Sequence, residues 1–160
     1  MKWMIRPIAC EHDPILFKII RSNLEALHLD VPGTAYFDPE LRHLSNYYQN
    51  EKAYFVLIID NQVAGGIGMA PLTNIEDCAE VQKLYVDPFY QGLGFGKILI
   101  ETLEDFAQRK GYKKLYLETH SNLKAAIHLY EKLGYTFIEK PPFVIHSTMN
   151  RFYIKNIGSK

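Results

Sequence analysis

The sequence predicts a mixed α/β fold, because stretches with a strand pattern and stretches with a helix pattern follow one another along the chain. β-branched and aromatic residues run together from Ala53 to Asp60, as in a buried strand, whereas apolar residues recur at helical spacing from Lys97 to Lys110. The chain has 160 residues, of which 48% are hydrophobic. That length supports one core, so residues 1–160 are predicted to form a single domain.

The predicted elements have the order β-α-α-β-β-β-α-β-α-β-β, which is typical of a layered α/β domain and not of a helical bundle or a β-sandwich. Asp13 and Asp38 each stand before a proline and are predicted to cap the first two helices. Asp60-Asn61 predicts a hairpin turn, and Gly111 and Gly134 predict the ends of the last two helices. The approximate bounds are Met4 to Ile8, Asp13 to Leu29, Asp38 to Gln49, Ala53 to Asp60, Val63 to Met69, Cys78 to Val86, Lys97 to Lys110, Lys114 to Thr119, Leu123 to Leu133, Tyr135 to Glu139 and Ser147 to Ile157.

Two further expectations concern neighbouring strands in the middle of the chain. In the strand that ends at Val86, alternation places Gln82 and Leu84 on the same face as Val86 and the residues between them on the other. The strand before it contains glycines that weaken it and invite close approach by another group. These glycines are Gly65, Gly66 and Gly68.

Charge and composition exclude several classes of function. Lys plus Arg and Asp plus Glu both count 18, so the chain lacks the basic excess that nucleic acids and anionic membranes require. No apolar run approaches the roughly 20 residues of a membrane-spanning helix. Arg6 and Pro7 interrupt the N-terminal apolar stretch, so we expect a cytoplasmic protein without a signal peptide. Cys10 and Cys78 lack metal-ligand spacing, which predicts neither a metal site nor a disulfide.

A glycine-rich segment between the strand ending at Val86 and the helix beginning near Lys97 indicates a phosphate-binding loop. Its sequence from Gln91 onward is Gln-Gly-Leu-Gly-Phe-Gly-Lys. Glycines let the main chain approach a ligand closely, and free N–H groups at a helix N-terminus bind anions. A nucleoside-triphosphate loop would need Gly in place of Gln91 and Ser or Thr in place of Ile98. The even spacing of the glycines also differs from a dinucleotide-binding fingerprint.

Gln91, Gly94 and Gly96 match the pattern Gln/Arg-x-x-Gly-x-Gly/Ala, and the chain thereby resembles the GCN5-related N-acetyltransferase superfamily. The resemblance is most specific from Leu84 to Gly96 and from Leu129 to Tyr135. It implies an α/β (α+β) domain with a single mixed, mostly antiparallel sheet flanked by about four helices. It also implies acetyl-CoA as the cofactor, coenzyme A as the product, direct attack by a primary amine of a small molecule on the thioester, and a homodimer.

The resemblance also assigns roles to individual residues. Tyr130 takes the place of the general acid, a phenol that protonates the departing thiolate. Glu80 is the leading candidate for the general base, with His120 and water as alternatives, and an exposed ion pair is the structural alternative for Glu80. The implied cofactor contacts are the backbone of Leu84, Tyr85 and Val86 and the loop residues Gln91, Gly92, Leu93, Gly94, Phe95, Gly96 and Lys97.

An acceptor pocket is predicted between the first two helices, their loop and the glycine-rich strand, where aromatic rings cluster with a carboxylate. The residues of this cluster are Tyr36, Phe37, Asp38, Tyr47 and Tyr48. Such a group suits an ammonium-bearing molecule, and the same residues also suit a core with a helix cap. Ser121 or Asn122 is predicted to cap the helix that carries the general acid. Two other functions stay open: acetylation of a peptide or protein N-terminus, and a catalytically silent acetyl-CoA-binding sensor.

Overall fold

One seven-stranded sheet forms the centre of the computed structural model, which describes residues 1–145 and 147–158. The strand order is β1-β2-β3-β4-β5-β7-β6. Only β4 and β5 run parallel, and all other neighbours are antiparallel. The single mixed, mostly antiparallel sheet is therefore confirmed. The strands are β1 (Trp3–Pro7), β2 (Ala53–Ile59), β3 (Gln62–Pro71), β4 (Cys78–Val86), β5 (Lys114–Thr119), β6 (Thr136–Ile138) and β7 (Arg151–Asn156).

Helices cover both faces of the sheet, and each face has its own apolar core. On one face, α3 and α4 pack against residues such as Leu57, Val81 and Leu117. On the other face, α1 and the segment after it pack against Tyr54, Val56 and Ile58. The helices are α1 (Asp13–Ala26), α2 (Leu44–Tyr47), α3 (Phe95–Arg109) and α4 (Lys124–Lys132), with 3-10 turns at Cys10–His12, Ala35–Phe37, Leu41–His43 and Pro88–Tyr90.

The predicted helix caps are wrong at both aspartates, because each carboxylate has a tertiary partner. Asp13 is the first residue of α1, and its carboxylate accepts hydrogen bonds from the Ser45 N–H at 3.0 Å and the Ser45 hydroxyl at 2.6 Å. Asp38 is extended, and its carboxylate binds the Lys83 ammonium at 2.6 Å. Without that cap, the predicted helix to Gln49 shortens to a 3-10 turn and one α-helical turn.

The predicted cap of α4 is also wrong. The residue before α4 is Leu123, and no side chain caps it. Asn122 instead donates its side-chain N–H to the carbonyl of Leu27 at 3.0 Å. The Ser121 hydroxyl accepts a hydrogen bond from the Asn150 side chain at 3.2 Å. These two residues therefore connect the loop after β5 to α1 and to the segment before β7.

A β-bulge in β4 overturns the predicted alternation of that strand. Two residues, Lys83 and Leu84, lie opposite the single residue Ile67 of β3, and Lys83 has a left-handed φ of 50°. The bulge places Leu84 and Val86 in the core beneath α3, whereas Gln82 lies on the α1 face. The consecutive residues Gln82 and Lys83 of β4 thus face the same side of the sheet, which places two polar side chains next to each other there.

The predicted close approach to the glycines of β3 is present, and aromatic rings make it. A Cβ atom on Gly68 would lie 2.8 Å from the ring of Tyr48, and one on Gly66 would collide with the ring of Tyr54. The ring of Tyr54 crosses β3 in the space that the missing side chains of Gly66 and Gly68 leave. Its hydroxyl thereby reaches β4 and donates to the Lys83 carbonyl at 2.9 Å. The glycines therefore let a tyrosine hold the bulge of β4 in place.

Candidate active site

A cleft opens where the parallel pair of strands separates. The pairing of β4 with β5 runs from Cys78 and Lys114 to Glu80 and Tyr116 and then stops. Beyond that point β4 has no strand partner on this side, and a cleft of about 220 Å³ lies there. The lining includes Glu80, Gln82, Lys83, Leu84 and Tyr85 from β4, Glu118 and Thr119 from β5, Ala126 and Tyr130 from α4, Thr34, Ala35 and Asp38 from the loop after α1, and Ser147 and Met149.

The glycine-rich loop presents a row of free backbone donors next to this cleft. The N–H groups of Gly92 to Lys97 form no backbone hydrogen bond within residues 1–145 and 147–158. Gly92 and Gly94 have left-handed φ values of 79° and 91°, and a Cβ atom on either would meet nothing within 4 Å. Since α3 begins at Phe95, these donors stand at the N-terminus of a 15-residue helix, where the helix dipole favours an anion.

The side chain of Gln91 serves as an anchor for the loop. Its amide donates to the side-chain oxygen of Asn23 at 2.8 Å and to the Val86 carbonyl at 2.8 Å. Asn23 is a buried polar residue of α1 and also donates to the Ile19 carbonyl at 2.8 Å. The loop is thus tied to α1 through side chains, which leaves its backbone N–H groups for a ligand.

Tyr130 lies on the α4 side of the cleft with its hydroxyl available. The residue is 6% exposed, and its ring lies 5.8 Å from that of Tyr135 and 6.4 Å from that of Tyr153. The hydroxyl opens into the cleft and makes no hydrogen bond with any residue that the structure describes. Burial raises the pKa of Tyr130 above its usual value, so the phenol keeps its proton at neutral pH.

Glu80 lies at the point where the strands separate, and its carboxyl group is tuned to neutral pH. Burial raises the pKa of Glu80 to about 7. A hydrogen bond from the Gln82 amide at 3.0 Å and the charge of Lys83 lower this pKa, whereas the charge of Glu118 raises it. The Tyr48 hydroxyl donates to the Gln82 side-chain oxygen at 2.8 Å, which orients the amide toward Glu80. A carboxyl group with this pKa is suited to proton transfer near pH 7.

Comparison with known proteins decides the family. The model of the acetyltransferase (GNAT) family matches residues 19–135. The chain belongs to the GNAT family. It is 37% identical to the uncharacterized N-acetyltransferase YjgM of Escherichia coli, over 85% of this chain and 83% of that one. It is 36% identical to the [ribosomal protein bS18]-alanine N-acetyltransferase of Haemophilus influenzae, over 52% of this chain and 54% of that one.

Solved structures have the same fold. A GNAT-family acetyltransferase from Staphylococcus aureus superimposes with a TM-score of 0.86 at 21% identity, over 98% of this chain and 99% of that one. The PaiA N-acetyltransferase from Thermoplasma acidophilum, solved in complex with coenzyme A, gives a TM-score of 0.77 at 18% identity, over 98% and 99%. Membership of the GNAT family identifies the chain as an acyltransferase. None of the described helices has the length and apolar character needed to cross a membrane.

The GNAT cleft brings together some of the residues predicted for the acceptor and leaves others outside. Asp38 lines it, but Tyr36 and Phe37 do not. The Tyr36 hydroxyl donates to Glu25 at 2.6 Å, and the Arg21 guanidinium lies 3.9 Å from the centre of its ring. Phe37 is 57% exposed. Acceptor contacts from Tyr36 and Phe37 therefore stay a prediction that this geometry does not support.

His120, the predicted alternative to Glu80 as the general base, has a local structural role in this GNAT-family chain. It follows β5, and its ring nitrogen Nδ1 accepts a hydrogen bond from the Asn122 backbone at 3.0 Å. Lys97 lies in the first turn of α3 and is exposed. Gly96, also in that turn, allows close packing, because a Cβ atom there would lie 2.9 Å from the side chain of Leu129.

Sequence reasoning missed several polar residues of the GNAT cleft. Glu118 lies on β5 and accepts a hydrogen bond from the Tyr116 hydroxyl at 2.9 Å. The sequence signal for Glu118 was its position two residues after Tyr116, because residues two apart on a strand face the same side of the sheet. That side is also the side of Glu80, which pairs with Tyr116. No pattern in the sequence indicated that Gln82 would donate a hydrogen bond to Glu80. The side chain of Lys83 faces the cleft only because the bulge adds a residue to β4. Outside the cleft, Asn23, which accepts a hydrogen bond from Gln91, could have been noticed as a polar residue among the buried apolar residues of α1.

Proposed function

We propose that this GNAT enzyme transfers an acetyl group from acetyl-CoA to a primary amine of a small molecule by direct attack on the thioester. The observation that carries the proposal is the position of the free N–H groups of Gly92 to Lys97 beside a cleft that holds Glu80 and Tyr130. The free N–H groups of the loop suit a pyrophosphate, whereas Glu80 and Tyr130 supply a base and an acid for acyl transfer.

The residues present fit coenzyme A. A pyrophosphate carries negative charge, and the loop offers consecutive donors at a helix N-terminus with open space above Gly92 and Gly94. The pantetheine arm carries amide groups, and the backbone of Leu84, Tyr85 and Val86 lies where β4 has no neighbour on its β5 side. The structural neighbour solved with coenzyme A supports this choice of ligand.

The cleft residues divide the proton transfers between them. Acetyl-CoA would supply the acetyl group as an activated thioester. Glu80 takes a proton from the ammonium form of the acceptor, because only the neutral amine is a nucleophile. A backbone N–H of Leu84 or Tyr85 stabilises the negative charge on the carbonyl oxygen. Tyr130, whose hydroxyl stays protonated because burial raises its pKa, would donate that proton to the departing sulfur.

The acceptor side of the cleft is bounded by loops that touch one another, which supports a small acceptor. The Thr148 hydroxyl donates to the Pro32 carbonyl at 2.6 Å and so joins the segment before β7 to the loop after α1. Asn122 joins the loop after β5 to the end of α1. A peptide chain would need an open groove across these contacts, whereas a small amine does not.

The test is thiol release from acetyl-CoA by the purified full chain across amines, amino acids and short peptides, together with calorimetric binding of coenzyme A. We expect coenzyme A to bind and thiol to be released with small amines. Release with peptides alone would replace the acceptor by a polypeptide N-terminus, as the name of the Haemophilus relative describes for that protein. Tight binding without release for any acceptor would favour a silent sensor.

Replacing Gly94 by Ala should weaken coenzyme A binding about tenfold, because a left-handed residue with a Cβ atom costs about 1–2 kcal/mol. The loop would then relax away from the geometry that aims its N–H groups. Gly111→Ala is the matched control, since Gly111 has a similar φ of 94°, no atom within 4 Å of a Cβ, and a position at the far end of α3. Both variants should lose similar stability in urea, and only Gly94→Ala should alter the calorimetric Kd. Equal Kd values in the two variants would contradict the anion-binding role.

Replacing Gln82 by Met should shift the pH dependence of kcat/KM to higher pH. The Gln82 amide lowers the pKa of Glu80 by a hydrogen bond to its carboxylate, so its removal raises that pKa. Tyr48→Phe, which releases the amide oxygen of Gln82, should move the profile in the same direction by less. Gln62→Met, an exposed change in the β2–β3 hairpin, is the control and should leave the profile unchanged. An unshifted profile in Gln82→Met would show that Glu80 is not the titrating base.

A further inference from the structure

The cleft contains two carboxylates that lie on the same face of neighbouring strands. Glu80 of β4 pairs in register with Tyr116 of β5, and Glu118 lies two residues further along β5. Both line the cleft, and the charge of Glu118 raises the pKa of Glu80, as expected for carboxylates close enough to repel each other. We call Glu80 and Glu118 the acidic pair.

Neither Glu80 nor Glu118 forms an ion pair with any described residue, although the charge of Lys83 acts on Glu80. Glu80 accepts a hydrogen bond from the Gln82 amide, and Glu118 accepts one from the Tyr116 hydroxyl. Lys83 is the basic residue of the described cleft lining, but its ammonium lies 2.6 Å from Asp38 and 3.7 Å from Glu40. The loop carboxylates therefore hold this cation, which leaves the acidic pair with an excess of negative charge.

An independent observation shows that the same cleft is shaped for a ligand. Tyr130 is 6% exposed, yet its hydroxyl opens into the cleft and has no hydrogen-bond partner within residues 1–145 and 147–158. No enclosed polar side-chain atom of the described residues lacks a hydrogen-bond partner, so the Tyr130 hydroxyl must reach the open space of the cleft, where a ligand can meet it. The acidic pair lines the same cleft, so a ligand bound beside Tyr130 is favoured if it carries positive charge.

We propose that the acceptor is a diamine, with one amine acetylated beside Glu80 and the second, still protonated, bound by Glu118. This proposal rests on the proposed acetyltransferase function. Glu80 takes one proton from the first ammonium group, and the neutral nitrogen forms its bond to the acetyl carbon. The carbon–sulfur bond breaks as Tyr130 donates its proton to the sulfur, and the second proton lost by the nitrogen passes to solvent, from which Tyr130 is protonated again. The second ammonium group takes no part in bond making and supplies binding energy through its ion pair with Glu118.

The experiment compares three acceptors of matched length: the four-carbon diamine putrescine, butylamine, and γ-aminobutyrate. They differ at the far end, which is cationic, apolar or anionic. With the unmodified chain, kcat/KM for putrescine should exceed that for butylamine by about tenfold or more, as expected for a partly desolvated ion pair, and γ-aminobutyrate should be the poorest substrate. Equal values for putrescine and butylamine would overturn the proposal without any variant.

Glu118→Gln then locates the effect. The substitution keeps the size of the side chain and its ability to accept from Tyr116, so the fold should be retained. Because the charge of Glu118 also raises the pKa of Glu80, the comparison is made on the plateau above the Glu80 transition. There the substitution should lower kcat/KM for putrescine by about tenfold and that for butylamine by less than about twofold. Glu139→Gln removes the same charge from an exposed site outside the cleft and should change neither value.

The outcomes separate the inference from the function on which it rests. An equal loss for all three acceptors in Glu118→Gln would overturn the diamine proposal, while acetyl transfer itself would stand. If none of the amines released thiol although coenzyme A bound, the proposed function would fail and the diamine proposal with it. Preserved binding of coenzyme A in Glu118→Gln is expected, because the proposed contacts to coenzyme A are backbone groups of β4 and of the glycine-rich loop, whereas Glu118 is a side chain of β5.

Discussion

Replacing Tyr130 by Phe is expected to slow the chemical step by about a hundredfold or more, because it removes the hydroxyl that we propose as the proton donor for the departing thiolate. The phenyl ring retains the packing against Tyr135 and Tyr153, whose ring centres lie 5.8 Å and 6.4 Å away. Since the Tyr130 hydroxyl makes no hydrogen bond with the described part of the chain, its loss breaks no internal contact there. The variant should therefore fold, bind coenzyme A normally and fail in transfer.

Single-turnover measurements with the enzyme in excess over acetyl-CoA test this prediction, because they follow the chemical step apart from product release. Tyr135→Phe is the matched control. Its hydroxyl donates to Glu104 at 2.8 Å, so this variant should lose about 1 kcal/mol of stability and keep its single-turnover rate. A wild-type rate in Tyr130→Phe would remove Tyr130 as the general acid. If Tyr85→Phe caused the loss instead, the role would pass to the other tyrosine of the cleft.

Replacing Glu80 by Gln is expected to lower kcat/KM by about a hundredfold near neutral pH and to abolish its acidic limb. In the unmodified enzyme, Glu80 must be ionised to accept a proton, and burial raises its pKa to about 7. Activity should therefore rise as the pH increases through about 7 and level off above it. If the rate and the pH profile of Glu80→Gln matched those of the unmodified enzyme, water or His120 would become the better base.

The same substitution should stabilise the fold at high pH, which separates a catalytic loss from unfolding. The pKa of Glu80 is about 7 in the folded chain and near 4.5 in the unfolded chain, so the folded state binds the proton more tightly. Stability from this group is complete below pH 4.5 and is lost as the pH rises through about 7. Thermal melting of Glu80→Gln should match the unmodified chain at low pH and exceed it above pH 7. A lower melting temperature at high pH would contradict the buried state of this carboxylate.

Features determined by local sequence could be predicted. The left-handed glycines at 92, 94, 111 and 134 lie in the loop and at the helix ends where their spacing placed them. The order of strands and helices also followed from periodicity, and the family resemblance supplied the sheet arrangement. The same local signals placed Tyr130 on a helix, but only the fold shows that the hydroxyl opens into the cleft.

Features that depend on tertiary contacts could not be predicted. The bulge at Lys83 is stabilised by a hydroxyl from β2, 29 residues earlier in the chain, and nothing in the sequence around it signals an extra residue. Asp13 and Asp38 had ordinary capping patterns, yet Ser45 and Lys83 bind their carboxylates. In each case a partner distant in sequence competes with the local backbone N–H groups for the same carboxylate.

The bulge also explains why only Asp38, of the residues predicted for the acceptor pocket, lines the cleft. Strict alternation would turn Lys83 away from Gln82 and leave Asp38 without its cation. With the extra residue in β4, Lys83 binds the loop after α1 and draws Asp38 to the cleft, whereas Tyr36 packs outward against Arg21. One irregular residue in β4 therefore decides which side chains of that loop reach the cleft.

Hydrogen exchange of the backbone amides, with and without coenzyme A, locates the binding site of the acetyl donor without any knowledge of the acceptor. We expect coenzyme A to slow exchange at Gly92 to Lys97, whose N–H groups have no backbone partner in the described chain, and along β4 beyond Glu80. Unchanged exchange at these amides, or protection confined to another surface, would contradict the placement of the acetyl donor in this cleft.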